Sequence, residues 1–172
     1  MVTHGWLLRM SVVSFFILVG WVNTIPLAQG DPGVGSVSEY KLPSIQGLED
    51  PNTFVQGDNP LTAKKVELGR LLFFDKRLSK NDTIACVSCH LPAKGFTDGM
   101  PVSTGINKLK GGRSAPASVN RVFSKGQFWD GRADTLEDQS IWPFVNPVEH
   151  GFINHDEMVA KMRKMPGYRE LF

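Results

Sequence analysis

The 172-residue chain carries 19 basic and 17 acidic side chains, a formal net charge of +2, with 41% hydrophobic and 21% charged residues. That balance excludes a wholly disordered chain, and its near-neutrality offers no polycationic surface for nucleic acid. The only two cysteines, Cys86 and Cys89, would close too small a loop to staple a fold.

Residues 1–30 read as a secretory signal: Arg9, then the apolar run "SVVSFFILVGWV", then the small residues of "PLAQG". The run from Ser11 to Val22 is 12 residues, short of the roughly 20 that a spanning helix requires. An uncleaved membrane anchor is therefore the lesser alternative to export. Ala28 and Gly30 suit a cut before Asp31, and with no cysteine near it a lipid anchor on cysteine is excluded. The remainder is one domain by size.

Residues 31–60, rich in Pro, Gly, Asn and Asp, predict an irregular arm. Residues 61–172 form the domain proper. Thr62 is placed to cap a first helix through "AKKVELGRLLFFD", with Val66, Leu68, Leu71 and Leu72 on a broad apolar face. A polar turn over Asp75–Asn81 leads into "ACVSCHLPAKGF". Residues 91–126 then predict a long functional loop. Between Gly99 and Trp129 it has no acidic residue but holds Lys108, Lys110, Arg113, Arg121 and Lys125. Singly these are solvated charges; together they suit acidic cofactor groups or an acidic partner.

Thr135 and Asp138 predict the start of a second helix in "DTLEDQSIW", ended by Pro143. Asn154 and Glu157 open a third, running through "HDEMVAKMRKM" to Pro166-Gly167, with Met158, Met162 and Met165 as core filler at helical spacing. Neither a repeat nor a strand pattern is visible. The class is mainly α with long loops.

C-x-x-C-H, here Cys86, Cys89 and His90, is the attachment pattern of a c-type haem. Two thiols at this spacing form thioethers with the two vinyl groups, and the adjacent imidazole becomes the proximal iron ligand. A zinc site would need a further ligand, which His150 or His155 could supply, but a second paired-ligand motif is lacking. A redox dithiol would expect a strand–helix setting that "NDTIACVSCHLPAKGF" does not offer.

Beyond that motif, "LGRLLFFDKRLSKNDTIACVSCH", "GGRSAPASVNRVF", "QFWDGRADTLEDQ" and "NPVEHG" follow in order over about residues 60–172. They resemble the bacterial di-haem cytochrome c peroxidases, including the MauG-type enzymes. The resemblance implies a cytochrome c-like haem domain where hydrogen peroxide is reduced. It also implies a C-terminal domain whose second haem takes electrons from a small cytochrome or copper protein, and a periplasmic location. By resemblance Cys86, Cys89 and His90 attach and ligate one covalent haem c, Trp129 lies between the two haems, and Gln139 and Glu149 are the distal amide and carboxylate. The family also implies calcium, for which these residues give no support.

Three departures stand out. Ile106 occupies the place where many of these peroxidases carry a removable histidine ligand, as in MauG-like members with an open iron. His150 stands where the family's usual Met follows the distal Glu, and is a candidate substitute for the sixth ligand, the alternative being none. A second C-x-x-C-H is absent, and the sequence reaches Phe172 as "GYRELF" begins what reads as a helix. The expectation is a peroxidase haem domain that is a fragment, a truncated product or half of a two-chain system. The alternative is a mono-haem electron carrier.

Overall fold

The computed structural model describes residues 39–168 and 171–172. The expected signal segment, 1–30, lies outside the described residues, as do the first residues of the 31–60 arm. Where described, the arm is irregular. A 3-10 turn at Pro51–Phe54 is capped by Asp50, whose carboxylate accepts the Asn52 N–H. Asn52 in turn ties the arm together through its two side-chain bonds to Leu42.

Four α-helices follow among the described residues. α1, Ala63–Phe74, starts at Thr62, whose hydroxyl accepts the Lys65 N–H at 3.1 Å. It turns Leu68, Leu71 and Leu72 onto a small core of Leu78, Met165 and Tyr168, joined by Phe144 and Met162. α2 is the single turn Cys86–Cys89. α3, Leu136–Val145, opens at Thr135, whose hydroxyl accepts the Asp138 N–H. α4, His155–Met162, opens at Asn154 with a reciprocal cap: Asn154 accepts the Glu157 N–H and Glu157 accepts the Ile153 N–H.

Two helix ends differ from expectation. α3 does not stop at Pro143 but continues two residues further, to Val145. Proline deletes one backbone donor near the helix end, and the Pro143 carbonyl is still used, by the N–H groups of Asn146 and His150. α4 stops at Met162 rather than reaching Met165. Turns before Pro166 fold Met165 and Tyr168 back into the core, where they are 7% and 4% exposed. The start of the helix expected at "GYRELF" is a turn at Tyr168, and Arg169 and Glu170 lie outside the described residues.

The expected long loop is organised without strands. Among the described residues, isolated antiparallel bridges pair Leu91 with Thr97, Thr104 with Lys110, and Gln127 with Ala133. Short 3-10 turns fill the gaps at Pro92–Lys94, Ile106–Lys108 and Arg121–Phe123. The result is a mainly helical fold with looped walls around one large cavity.

Candidate active site

The cavity encloses ≈ 1120 Å³, beyond the roughly 300–1,000 Å³ of sites for drug-sized ligands and suited to a macrocycle. Cys86, Cys89, His90, Trp129, Gln139, Glu149 and His150 all line it. Every expected site residue therefore meets the same space, from segments as much as 63 positions apart (Cys86 to Glu149).

The C-x-x-C-H segment is built locally. Ser79, fully buried, donates to the Lys76 carbonyl and accepts the N–H groups of Thr83 and Ile84, turning the chain into α2. The Ala85 N–H is held by the Ser88 hydroxyl, and His90 N–H closes the turn on the Cys86 carbonyl. One helical turn puts the two thiols on a common side. Burial pushes the Cys86 thiol up to about 11, and burial likewise raises Cys89. Redox dithiols need the opposite, a depressed thiol.

His90 is fixed at one nitrogen. Its Nδ1 lies 3.0 Å from the Phe96 carbonyl, 3.1 Å from the Pro116 carbonyl and 3.0 Å from Ser118 Oγ. Carbonyls only accept, so Nδ1 carries the proton and Nε2 keeps its lone pair. That is the tautomer of a metal-bound histidine with its back nitrogen tethered. The two thiols, this imidazole and the cavity's size fit a c-type haem. Among the described residues no cluster of three or more His, Cys, Asp or Glu side chains is arranged to hold a bare metal ion.

Across the cavity the turn after α3 presents Glu149. Asn146 shapes it: its Oδ1 accepts the Val148 N–H, its carbonyl accepts the N–H groups of Glu149 and Gly151, and its Nδ2–H donates to Glu149 Oε1 at 2.7 Å. Burial raises the Glu149 carboxyl, against the Arg132 charge and the Asn146 bond, which pull it down. Gln139, half-buried on α3, faces the same space.

The next residue, His150, is 3% exposed and donates from Nδ1 to the Leu78 carbonyl at 2.7 Å, its ring edge-on to Phe144. Burial lowers its proton affinity. Its backbone carbonyl accepts the Lys80 N–H, so the turn carrying Glu149 is strapped to the segment leading into α2. Ile106 does not line the cavity; it is buried under that same turn, its N–H on the Glu149 carbonyl. Gly105 and Gly151 make this contact. A Cβ on Gly105 would collide with the Val148 carbonyl, and one on Gly151, at φ +77°, would meet Ile106 at 2.9 Å.

Trp129 stands at the rim, 61% exposed, its indole N–H donating to the Ser114 carbonyl at 2.8 Å. Arg113, Arg121, Arg132 and Asp130 also line the cavity, whereas Lys108, Lys110 and Lys125 do not. Sequence reasoning grouped the basic residues without separating these, and did not single out Arg132, Asp130, Ser118 or Asn146. For Asn146, its place between a helix end and Pro147 was the available signal.

The family model described as di-haem cytochrome c peroxidase matches residues 63–172. Cytochrome c peroxidase Ccp of Escherichia coli is 43% identical over 113 residues, covering 66% of this chain and 24% of that one. The methylamine utilization protein MauG of Methylorubrum extorquens is 40% identical over 114 residues, covering 66% of this chain and 32% of that one. A solved MauG-like protein associated with microbial copper homeostasis superposes with a TM-score of 0.62 at 41% identity, over 69% of this chain and 35% of that one. The chain thus spans about a quarter to a third of the length of these relatives. With the match running from the start of α1 to Phe172 and taking in both walls of the cavity, the chain belongs to the di-haem cytochrome c peroxidase family.

Proposed function

We propose that this chain is the haem domain at which hydrogen peroxide is reduced, in an exported, periplasmic protein. Cys86 and Cys89 would hold one haem c as thioethers, and His90 Nε2 would ligate its iron. Bound there, the haem supplies an iron centre for a two-electron reduction of peroxide. The observation that carries the reading is the pairing, in one cavity, of a tethered His90 with a half-buried carboxylate, Glu149.

The chain's own contribution is proton handling. Asn146 engages Glu149 Oε1, and among the described residues no side chain hydrogen-bonds Oε2. Oε2 is the atom placed to take a proton from one peroxide oxygen and return it to the other. A carboxyl raised toward the working pH exchanges protons more effectively at this task. Gln139 supplies an amide to orient peroxide or water. Trp129, at the rim, is the contact for electrons from a second haem domain, itself fed by a small cytochrome or copper protein.

The test is direct. Protein from a host with haem-attachment machinery should keep its haem after denaturation, and the Cys86→Ser/Cys89→Ser variant should carry none covalently. Retention of covalent haem by that variant would sink the assignment. A second reading, a mono-haem electron carrier, is favoured by His150, whose Nε2 has no partner among the described residues while its ring lines the cavity. A resting iron that is high-spin and binds cyanide without prior reduction supports the enzyme. A low-spin iron that opens only in His150→Ala supports the carrier.

A further inference from the structure

Two arginines meet one aspartate at the cavity rim. Arg113 donates to Asp130 Oδ2 at 2.8 Å and Arg132 donates to Asp130 Oδ1 at 2.7 Å. Each spends one N–H of its guanidinium on this carboxylate, and each has five. Arg132 is fixed further by Phe128, whose ring centroid lies 3.6 Å from the guanidinium carbon. The loop that carries Asp130 and Arg132 is closed by the Gln127–Ala133 bridge and turned by Gly131 at φ +68°. Trp129 anchors it to Ser114, next to Arg113.

The segment 113–118 thus links the two ends of the site. Pro116 and Ser118 hold the back of His90, and Arg113 begins the same run at the rim. A bare ion pair would need one arginine. Here two cations share one anion at the rim, with the Arg113 and Arg132 side chains 56% and 47% exposed. This is the arrangement of a site awaiting further anionic oxygens in planar, forked geometry.

We propose that Arg113 and Arg132, spaced by Asp130, bind the two propionate carboxylates of the haem. The assignment rests on the haem reading above. The macrocycle's propionates lie on the edge away from its thioether edge, so attachment at Cys86 and Cys89 sends them to another wall of the cavity. A dianionic edge belongs at a half-exposed rim, where water shares its solvation. Asp130 is the spacer that keeps the guanidiniums from collapsing onto a single carboxylate.

The test uses the full chain with haem attached, read by the propionate bending band in its resonance Raman spectrum. The parent should show a band at the frequency of hydrogen-bonded propionates. Arg113→Gln and Arg132→Gln should each move it to lower wavenumber, additively in the double variant, with haem content unchanged. Lys125→Gln, outside the cavity, should not move it. Haem retained with an unmoved band in the double variant would overturn the clamp alone. A parent that takes up no haem would overturn the haem reading and the clamp with it. Should the Gln variants fail to fold, the parent decides: a band at the frequency of free, solvated propionate overturns the assignment.

Discussion

Asn146 holds Glu149 at both ends, its side chain on the carboxylate Oε1 at 2.7 Å and its carbonyl on the Glu149 backbone N–H at 3.1 Å. One residue at the end of α3 thereby sets both the turn and the direction of the half-buried acid. Glu149→Gln keeps the shape and the bond capacity but removes the base. The reaction with peroxide should slow by about 10²–10⁴, the usual worth of a positioned acid–base group, with haem content unchanged. Stopped-flow measurement of peroxide consumption checks it, and an unaltered rate would remove Glu149 from the chemistry.

The pH dependence follows from the same contacts. Burial raises the Glu149 carboxyl, so its basic form appears at higher pH than for a free glutamate, and the peroxide rate should rise through that pKa. The Asn146 bond opposes the rise, so Asn146→Ala should move the acid limb to still higher pH. A raised carboxyl also means that the folded state holds its proton more tightly. The associated stability is present below the unfolded glutamate pKa and is lost as pH climbs through the folded one. Rate against pH for the parent and the Asn146→Ala variant supplies the check.

The glycine contacts predict a structural cost with a functional signature. A methyl on Gly105 would strike the Val148 carbonyl, one residue from Glu149. Gly105→Ala should cost about 1–3 kcal/mol of stability, the range for overpacking a tight contact. Because the strained turn carries the acid, peroxide reactivity should fall as well. Gly57→Ala, exposed in the arm with open space around it, should do neither. Thermal unfolding of the two variants separates them.

How much of this was readable beforehand depended on sequence distance. The motif that predicts haem attachment was legible because Cys86, Cys89 and His90 lie within one helical turn, so it can be read from local spacing. The starts of α1, α3 and α4 were legible because caps are local: Thr62, Thr135 and Asn154 each bond three residues ahead. The ends were not. Pro143 reads as a terminator, yet its position late in α3 costs the helix little, and Met165 leaves α4 because the core at Leu78 draws it away. The clamp of Arg113 and Asp130 and the tether of His90 by Ser118 cross 17 and 28 residues of loop. No periodicity marks such contacts, and only a folded chain displays them.

Acid should weaken the fold through one identifiable contact. Asp75 accepts a forked pair from Arg77 and the phenol O–H of Tyr168 at 2.8 Å, tying the end of α1 to the turn beyond α4. The Arg77 bonds, chiefly, hold the Asp75 carboxyl down to about 2. A depressed carboxyl stabilises the fold above its unfolded pKa, and that contribution disappears as pH falls through the folded value. Asp75→Asn should lose on the order of 1 kcal/mol at pH 7, given partial exposure, and should flatten the stability curve between about pH 4 and pH 2. Tyr168→Phe should show a smaller loss with the acid limb retained. Urea unfolding across that range tests both.

The two exposed tryptophans near the site differ in their relation to the cavity. Trp129, on the cavity rim, is 61% exposed with its indole N–H on the Ser114 carbonyl. Trp142, on α3, is 50% exposed, bonds Asp138 and does not line the cavity. An electron entering from a second haem domain passes most readily through an aromatic ring that touches both the solvent face and the haem cavity, which Trp129 does and Trp142 does not. With a second haem domain supplied, Trp129→Phe should lower donor-dependent turnover while leaving the first, single reaction of the haem with peroxide unchanged. Trp142→Phe should leave both as they are. Pre-steady-state and steady-state rates on the same preparations distinguish electron delivery from peroxide chemistry. Equal loss of both in Trp129→Phe would mean that this ring supports the cavity wall rather than carrying electrons across it.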